Sequence, residues 1–267
     1  MYLETVDQLA TTAVAKTAFL KRTPSGFFIS SMLAGAYVGL GIILIFSVGS
    51  DVDPAYRALV MGCSFGVALT LVIFAGSDLF TGHTMFMTFG ALRNRVSWSD
   101  VGSAWAMSWI GNLVGCLALA LVFVWGGGGA MLHSKSQFIM TVASAKMNAP
   151  VLSLIARATL CNWFVCLAIW MSARTTNDAA KCIFIFWCLF GFIGSGYEHS
   201  VANMTLLTIA LLGDHPDTIT WGGLAYNLLW VTIGNIIAGA GIMGMGYWYM
   251  SRPKDEPVTA QLRAAAE

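Results

Sequence analysis

Gly194-Ser195-Gly196-Tyr197-Glu198-His199-Ser200-Val201-Ala202-Asn203-Met204 is the stretch on which the reading of this chain turns. It interrupts a run that is otherwise apolar, Cys182 to Phe192 before it and Thr205 to Leu212 after it. A carboxylate beside an imidazole costs several kcal/mol of desolvation at membrane depth unless the site is built for them. Two glycines within three residues also break a helix. Broken helices persist in a membrane only where the freed backbone is covered by protein or lines a cavity. The stretch therefore reads as the centre of a permeation path.

Composition agrees. Of 267 residues, 57% are hydrophobic and 10% charged, with mean hydropathy +0.73, whereas a soluble chain carries about a quarter charged residues. This is an all-α polytopic membrane protein. The net charge of +1 gives no sign of nucleic-acid binding. Cys63, Cys116, Cys161, Cys166, Cys182 and Cys188 fall within or beside apolar runs and form no CxxC pair. They read as small buried hydrophobes, indicating neither disulfides nor a zinc site. Residues 1–22 carry Glu4, Asp7, Lys16, Lys21 and Arg22 and lack the continuous apolar core of a signal peptide. Leu3, Val6, Leu9, Ala13, Val14 and Leu20 recur at helical spacing until Pro24, which predicts a short amphipathic helix in the cytoplasmic interface.

Six membrane-length segments follow: Phe27–Val48, Ala58–Leu92, Val101–Trp125, Val151–Ala173, Cys182–Leu212 and Leu224–Met250. The second and fifth are too long for one straight crossing and too short for two. Each carries a polar, glycine-containing interruption, Gly76 to Thr84 in one and Gly194 to Asn203 in the other, and is expected as two half-helices around an unwound centre. Lys16, Lys21, Arg22, Arg93, Arg95, Arg174, Lys181, Arg252, Lys254 and Arg263 all fall on one side if both termini are cytoplasmic. The halves also resemble each other. Ile110-Gly111-Asn112 returns as Ile233-Gly234-Asn235, 123 positions later, and Asp78 and Glu198 are 120 apart. Three spans repeated after an odd number of crossings are inverted, an architecture in which the breaks mark the substrate site. The Gly-Asn helices, Gly35/Gly39 and the run Gly239, Gly241, Gly244, Gly246 offer faces for close packing. The chain thus divides into an amphipathic N-terminal helix (1–26), a six-span pore domain (27–250) and a cytoplasmic tail (251–267).

His199 is the sharpest candidate, since its ring changes charge near neutral pH. The alternative is a buried histidine satisfied by its neighbours. Asp78 and Glu198 read as caps that satisfy free amides at the helix breaks. A fixed negative charge would repel an anion, so neither is taken as a substrate contact. Thr81 is assigned to the lumen and His83 to local capping. Asn162, alone in an apolar helix, fits packing and pore lining equally. Lys146 is one of few cations on its side, next to a helix start where anions collect. Trp98, Trp105, Trp125, Trp221, Trp248, Tyr247 and Tyr249 fit interfacial anchoring. No ligand spacing supports a metal site, and no cofactor is indicated.

Phe74-Ala75-Gly76-Ser77-Asp78-Leu79-Phe80-Thr81-Gly82, Ala158-Thr159-Leu160-Cys161-Asn162-Trp163-Phe164-Val165 and Gly196-Tyr197-Glu198-His199-Ser200-Val201-Ala202-Asn203-Met204 together resemble the signatures of the formate/nitrite transporter family. The likeness covers nearly the whole chain. Its length, and the short tail after Met250, look most like the bacterial nitrite channels. The resemblance implies an aquaporin-like protomer with its own pore, assembled as a homopentamer in the bacterial inner membrane, with a place in nitrate assimilation. It also implies His199 as the central histidine and Thr81 as its hydrogen-bonding threonine, with Asn162 and Lys146 as a polar pair biasing the site. Phe65 and Phe192 become the outer constriction, and Leu69, Leu79, Phe80 and Val165 the inner one.

The expected function is passage of small monovalent anions, nitrite first and formate or hydrosulfide as alternatives, with protons as co-substrate and no enzymatic activity. A reading of a different class is a membrane metal or haem protein using His83 and His199.

Overall fold

Prolines, capping side chains and left-handed glycines set the helix boundaries. The computed structural model describes residues 2–252, and all of their regular structure is helical. The chain opens with α1 (Leu3–Arg22) and α2 (Pro24–Asp51). Next comes α3 (Pro54–Ala75), started by Pro54 and by the Asp53 carboxylate, which accepts from the Ala55 amide at 2.8 Å. After the first break come α4 (Phe80–Leu92) and α5 (Trp98–Trp125). The start of α5 is a capping box between Ser97 and Asp100. Two short helices follow, α6 (Gly129–Leu132) and α7 (Ser136–Met147), then α8 (Val151–Ser172). The second break separates α9 (Asp178–Gly194) from α10 (Ser200–Leu212). The last crossing-length run is α11 (Trp221–Ile236), a π-helical stretch over Ile237–Met245, and α12 (Gly246–Ser251).

Among the described residues five helical runs are long and apolar enough to cross a membrane: α2, α3, α5, α8 and Trp221–Ser251. The breaks divide their segments unequally. α3 alone has 22 residues, about 33 Å at the helical rise, and is a full crossing rather than the half-helix expected. α4 and α10 have 13 residues each and are buried along nearly their whole length. α9, at 17 residues, falls short of the other spans.

The packing follows from small residues where backbones meet. A Cβ on Gly35 would strike the backbone of Asn112, and one on Gly115 the backbone of Met32, so α2 and α5 run in backbone contact. Gly239 faces Thr84 and Gly244 faces Thr88 of α4, whereas Gly241 and Gly246 face open space. Only half of that glycine run is a packing face. Trp98, Trp125 and Trp221 are exposed at helix ends. Trp105 instead donates its Nε1–H to the His83 carbonyl at 3.1 Å.

One expectation changes. The apolar stripe of α1 does not face lipid: Val6, Leu9, Ala10 and Ala13 are buried against protein, and α1 packs chiefly on α4. Asp7 ties it down through Arg93 Nε at 2.8 Å and Arg95 at 3.1 Å. Between α5 and α8 the chain is largely helical, in α6 and α7. From residue 253 onward the expected tail, with Lys254 and Arg263, lies outside the described residues.

Candidate functional site

Two backbone breaks meet in the core, and each is held the same way. Gly76 and Gly196 take the left-handed conformation (φ +76° and +70°) that turns the chain out of α3 and α9. In the first break the Asn112 side chain accepts from the Phe80 amide at 2.9 Å. It donates to the carbonyls of Asp78 at 2.9 Å and Ser31 at 2.7 Å. In the second, Asn235 accepts from the Ser200 amide at 3.0 Å and donates to the carbonyls of Glu198 at 3.2 Å and Ala158 at 2.9 Å. Each asparagine thus binds the residue two positions before, and the amide that begins, the short inner helix. These are the backbone groups that an interrupted helix leaves unsatisfied.

The carboxylates do something other than cap. Asp78 pairs with Lys16 Nζ at 2.6 Å and His83 Nε2 at 3.1 Å, and accepts from the Ser30 hydroxyl at 2.7 Å. Glu198 pairs with Lys146 Nζ at 2.7 Å and accepts from Asn203 Nδ2 at 2.6 Å. Asn203 also donates to Asn227 Oδ1 at 2.9 Å, whose amide donates to the Lys146 carbonyl. Expected as backbone caps, both acids instead bind side chains, because the asparagines and His199 already serve the freed amides. His83 is likewise a partner of Asp78 rather than a cap. Its ring packs against Phe27 and Phe86.

His199 occupies the N-cap position of α10. Its Nδ1 accepts from the Ala202 amide at 3.1 Å, and its Nε2 lies 3.2 Å from the Thr81 hydroxyl of α4. With Nδ1 used as an acceptor, the neutral ring carries its proton on Nε2, directed at Thr81. The ring stacks on Phe192, centroids 5.9 Å apart and planes at 17°.

Three cavities follow one another through shared lining residues; His199 lines two of them, whereas Thr81, assigned to the lumen from the sequence, is fully buried and lines none. The α7-side cavity, of 540 Å³, is walled by Lys146, Arg157, Phe192, Glu198 and His199 among others. A central space of 10 Å³, room for about one water, is lined by Phe65, Leu69, Leu79, Val165, Phe192 and His199. An α1-side cavity of 230 Å³ is lined by Lys16, Leu69, Leu79 and His83. Phe192 and His199 belong to the first two, and Leu69 and Leu79 to the last two. Phe65 and Phe192 meet edge to face at 5.6 Å.

Five of the six residues expected at constrictions therefore wall the central space. Phe80 lines none of the three cavities, since it starts α4 and is packed in the core. Asn162 is not joined to Lys146. It donates from behind Thr81 to the Thr81 carbonyl (3.3 Å), Thr84 Oγ1 (3.1 Å) and the Asn235 carbonyl (2.7 Å). Sequence reasoning missed Asn112, Asn235, Lys16, Thr84, Asn203 and Asn227. The repeated Gly-Asn pair was the available signal for the first two. Among the described residues no three His, Cys, Asp or Glu side chains converge as a metal site would require.

Comparison with known proteins places this geometry. The family model described as formate/nitrite transporter matches residues 3–249. The nitrite transporter NirC of Escherichia coli (strain K12) is 50% identical over 258 residues, 97% of this chain and 96% of that protein. A solved structure of an FNT family ion channel superposes with a TM-score of 0.90 at 50% identity, covering 93% of this chain and 99% of that one. A pentameric formate channel with formate bound shares the fold at 23% identity, with a TM-score of 0.73 over 86% of this chain and 98% of that one. The chain is a multi-pass membrane protein and belongs to the formate/nitrite transporter family.

Proposed function

We propose that the chain is a membrane channel or transporter for small monovalent anions, nitrite first, with formate and similar weak-acid anions as further substrates. The observation that carries this is the series of three cavities joined through shared lining residues, with His199 lining both the vestibule and the central space. The names of the similar proteins point the same way.

An anion in the α7-side cavity meets Lys146, whose ammonium is partly neutralised by Glu198 and so attracts without trapping. Beyond it the Phe65–Phe192 pair strongly penalises a bare charge, while a neutral acid passes at far lower cost. His199, its Nε2 bonded to the Thr81 hydroxyl, is the one polar side chain lining that point among the described residues. A proton handed to the anion there yields the neutral acid, which can cross the Leu69, Leu79 and Val165 ring. A full positive charge on His199 would forfeit the Ala202 bond at the positive end of α10. The neutral ring therefore acts as an Nε2–H hydrogen-bond donor, and the proton that neutralises the anion comes from solvent water entering the vestibule, since giving up Nε2–H would leave an imidazolate.

The same proposal includes six crossings, with α9 and α10 together forming the fifth, arranged as two inverted three-helix repeats. The paired asparagine clamps and paired Lys–carboxylate bridges support that symmetry. It further includes residues 1–26 as a cytoplasmic N-terminal helix, 27–250 as the pore domain, a bacterial inner-membrane location with both termini cytoplasmic, a homopentamer and no catalysis.

Substituting His199 by Asn keeps an oxygen able to cap α10, so the protein should assemble. Reconstituted in liposomes, H199N and H199F are expected to lose the pH dependence of nitrite and formate flux and the preference for anions over neutral solutes. Unchanged pH profiles and selectivity would remove the histidine from the mechanism.

A further inference from the structure

Beside the α7-side vestibule lies a second cavity, of 410 Å³, between the end of α2, the first turn of α3 and the start of α7. Ser50, Ser134, Lys135 and Gln137 give it a polar wall, and no carboxylate lines it. Arg57 belongs to the walls of both this cavity and the vestibule. Its guanidinium lies 4.2 Å over the ring of Phe138, which in turn stacks on Phe46 at 5.2 Å. Its Nε is buried without a hydrogen-bond partner.

The placement is costly for a residue with only a packing role. A cation in the first turn of α3 opposes the positive end of that helix, and a buried N–H left unbonded is unfavourable. Nor is there a carboxylate to compensate. Asp51 is committed to Lys135 at 2.5 Å and Asp53 to the Ala55 amide at 2.8 Å, and Arg57 forms no ion pair among the described residues. The aromatic face fixes the plane of the guanidinium and leaves its N–H edge for a ligand. A planar fork of donors matches two oxygens held on one atom, and a spherical halide cannot engage both N–H groups in that manner.

We propose that Arg57 forms an anion-collecting site in this antechamber, binding planar two-oxygen monoanions such as nitrite or a small carboxylate before they pass to Lys146 and His199. The proposal rests on the anion-transport reading and adds a station ahead of the pore. Nothing in the sequence motifs pointed to it, because Arg57 lies outside all three of them.

The test uses the full chain. In liposomes, R57Q is expected to raise the half-saturating concentration of nitrite and formate about three- to tenfold at low ionic strength, with the saturated rate unchanged. R57K should restore part of the uptake but not the preference for formate over chloride as competitor, because it keeps the charge and loses the fork. A flux-free readout follows the rate at which phenylglyoxal modifies Arg57 in the wild-type protein, by mass spectrometry of the Arg57 peptide. Sodium formate should slow that reaction several-fold relative to equal sodium chloride. Normal half-saturation in R57Q, or equal modification in formate and chloride, overturns the proposal. If the wild type carries no anion flux, the transport reading fails, while the protection experiment still decides whether Arg57 binds oxyanions.

Discussion

Replacing Asn112 or Asn235 by leucine tests whether the two breaks are held by their amide clamps. Each side chain is fully buried and makes three hydrogen bonds to backbone groups. Leucine has the same branched outline but bonds none of them, so the amide and the carbonyl of each break (Phe80 and Asp78, or Ser200 and Glu198) are left unpaired, while the Ser31 and Ala158 carbonyls keep their helical partners. At roughly 1–3 kcal/mol for each of the two stranded groups, the loss is about 2–6 kcal/mol. For a chain of this size, at roughly 2 °C per kcal/mol, that corresponds to a drop of about 4–12 °C in melting temperature. Thermal unfolding in detergent, followed by tryptophan fluorescence, reads the loss, and anion flux at low temperature shows whether the break survives. Both variants should fall by similar amounts, because the two clamps have matched partners. A variant that melts within a degree or two of the parent would refute the claim that these amides hold the breaks.

Further expectations are simpler. Lys146→Met leaves Glu198 with Asn203 as its remaining partner. Uptake from dilute nitrite should fall, and the difference should shrink as salt rises, since surface attraction is screened; a salt-independent effect counts against attraction. Phe192→Ala removes the ring shared by the vestibule and the central space and should admit larger neutral solutes in a liposome swelling assay. Gly239→Ala drives a methyl group into Thr84 and should destabilise the protein by about 1–3 kcal/mol. Adding Thr84→Ala should recover much of that in a double-mutant cycle of melting temperatures.

The sequence made the breaks legible because glycine, carboxylate and imidazole are so out of place in an apolar run. His199 and five of the six constriction residues could be placed from the motifs and the family resemblance together, and Thr81 as the partner of His199, though it lines no cavity. What escaped was the wiring. Asn112 and Asn235 were visible as a repeat, but they read as neighbours of packing glycines, and nothing local to either shows which distant amide it will meet. Asp78 and Glu198 looked like caps because a lone acid at a helix start has few other uses. The cations they bind lie on α1 and α7, far away in sequence. Asn162 was left open between glue and lumen, and its bonds to the Thr81 carbonyl and Thr84 place it behind the lumen wall. Arg57 carried no motif at all.

The docking of α1 has a consequence for biogenesis. This helix is made before the groups that anchor it: Asp78, Arg93 and Arg95 are synthesised about sixty or more residues after Lys16 and Asp7. Until the polypeptide carrying α4 has entered the bilayer, Val6, Leu9, Ala10 and Ala13 have only lipid headgroups to rest against. A nascent chain arrested before residue 78 should therefore hold α1 at the membrane surface, open to protease, and longer arrests should protect it.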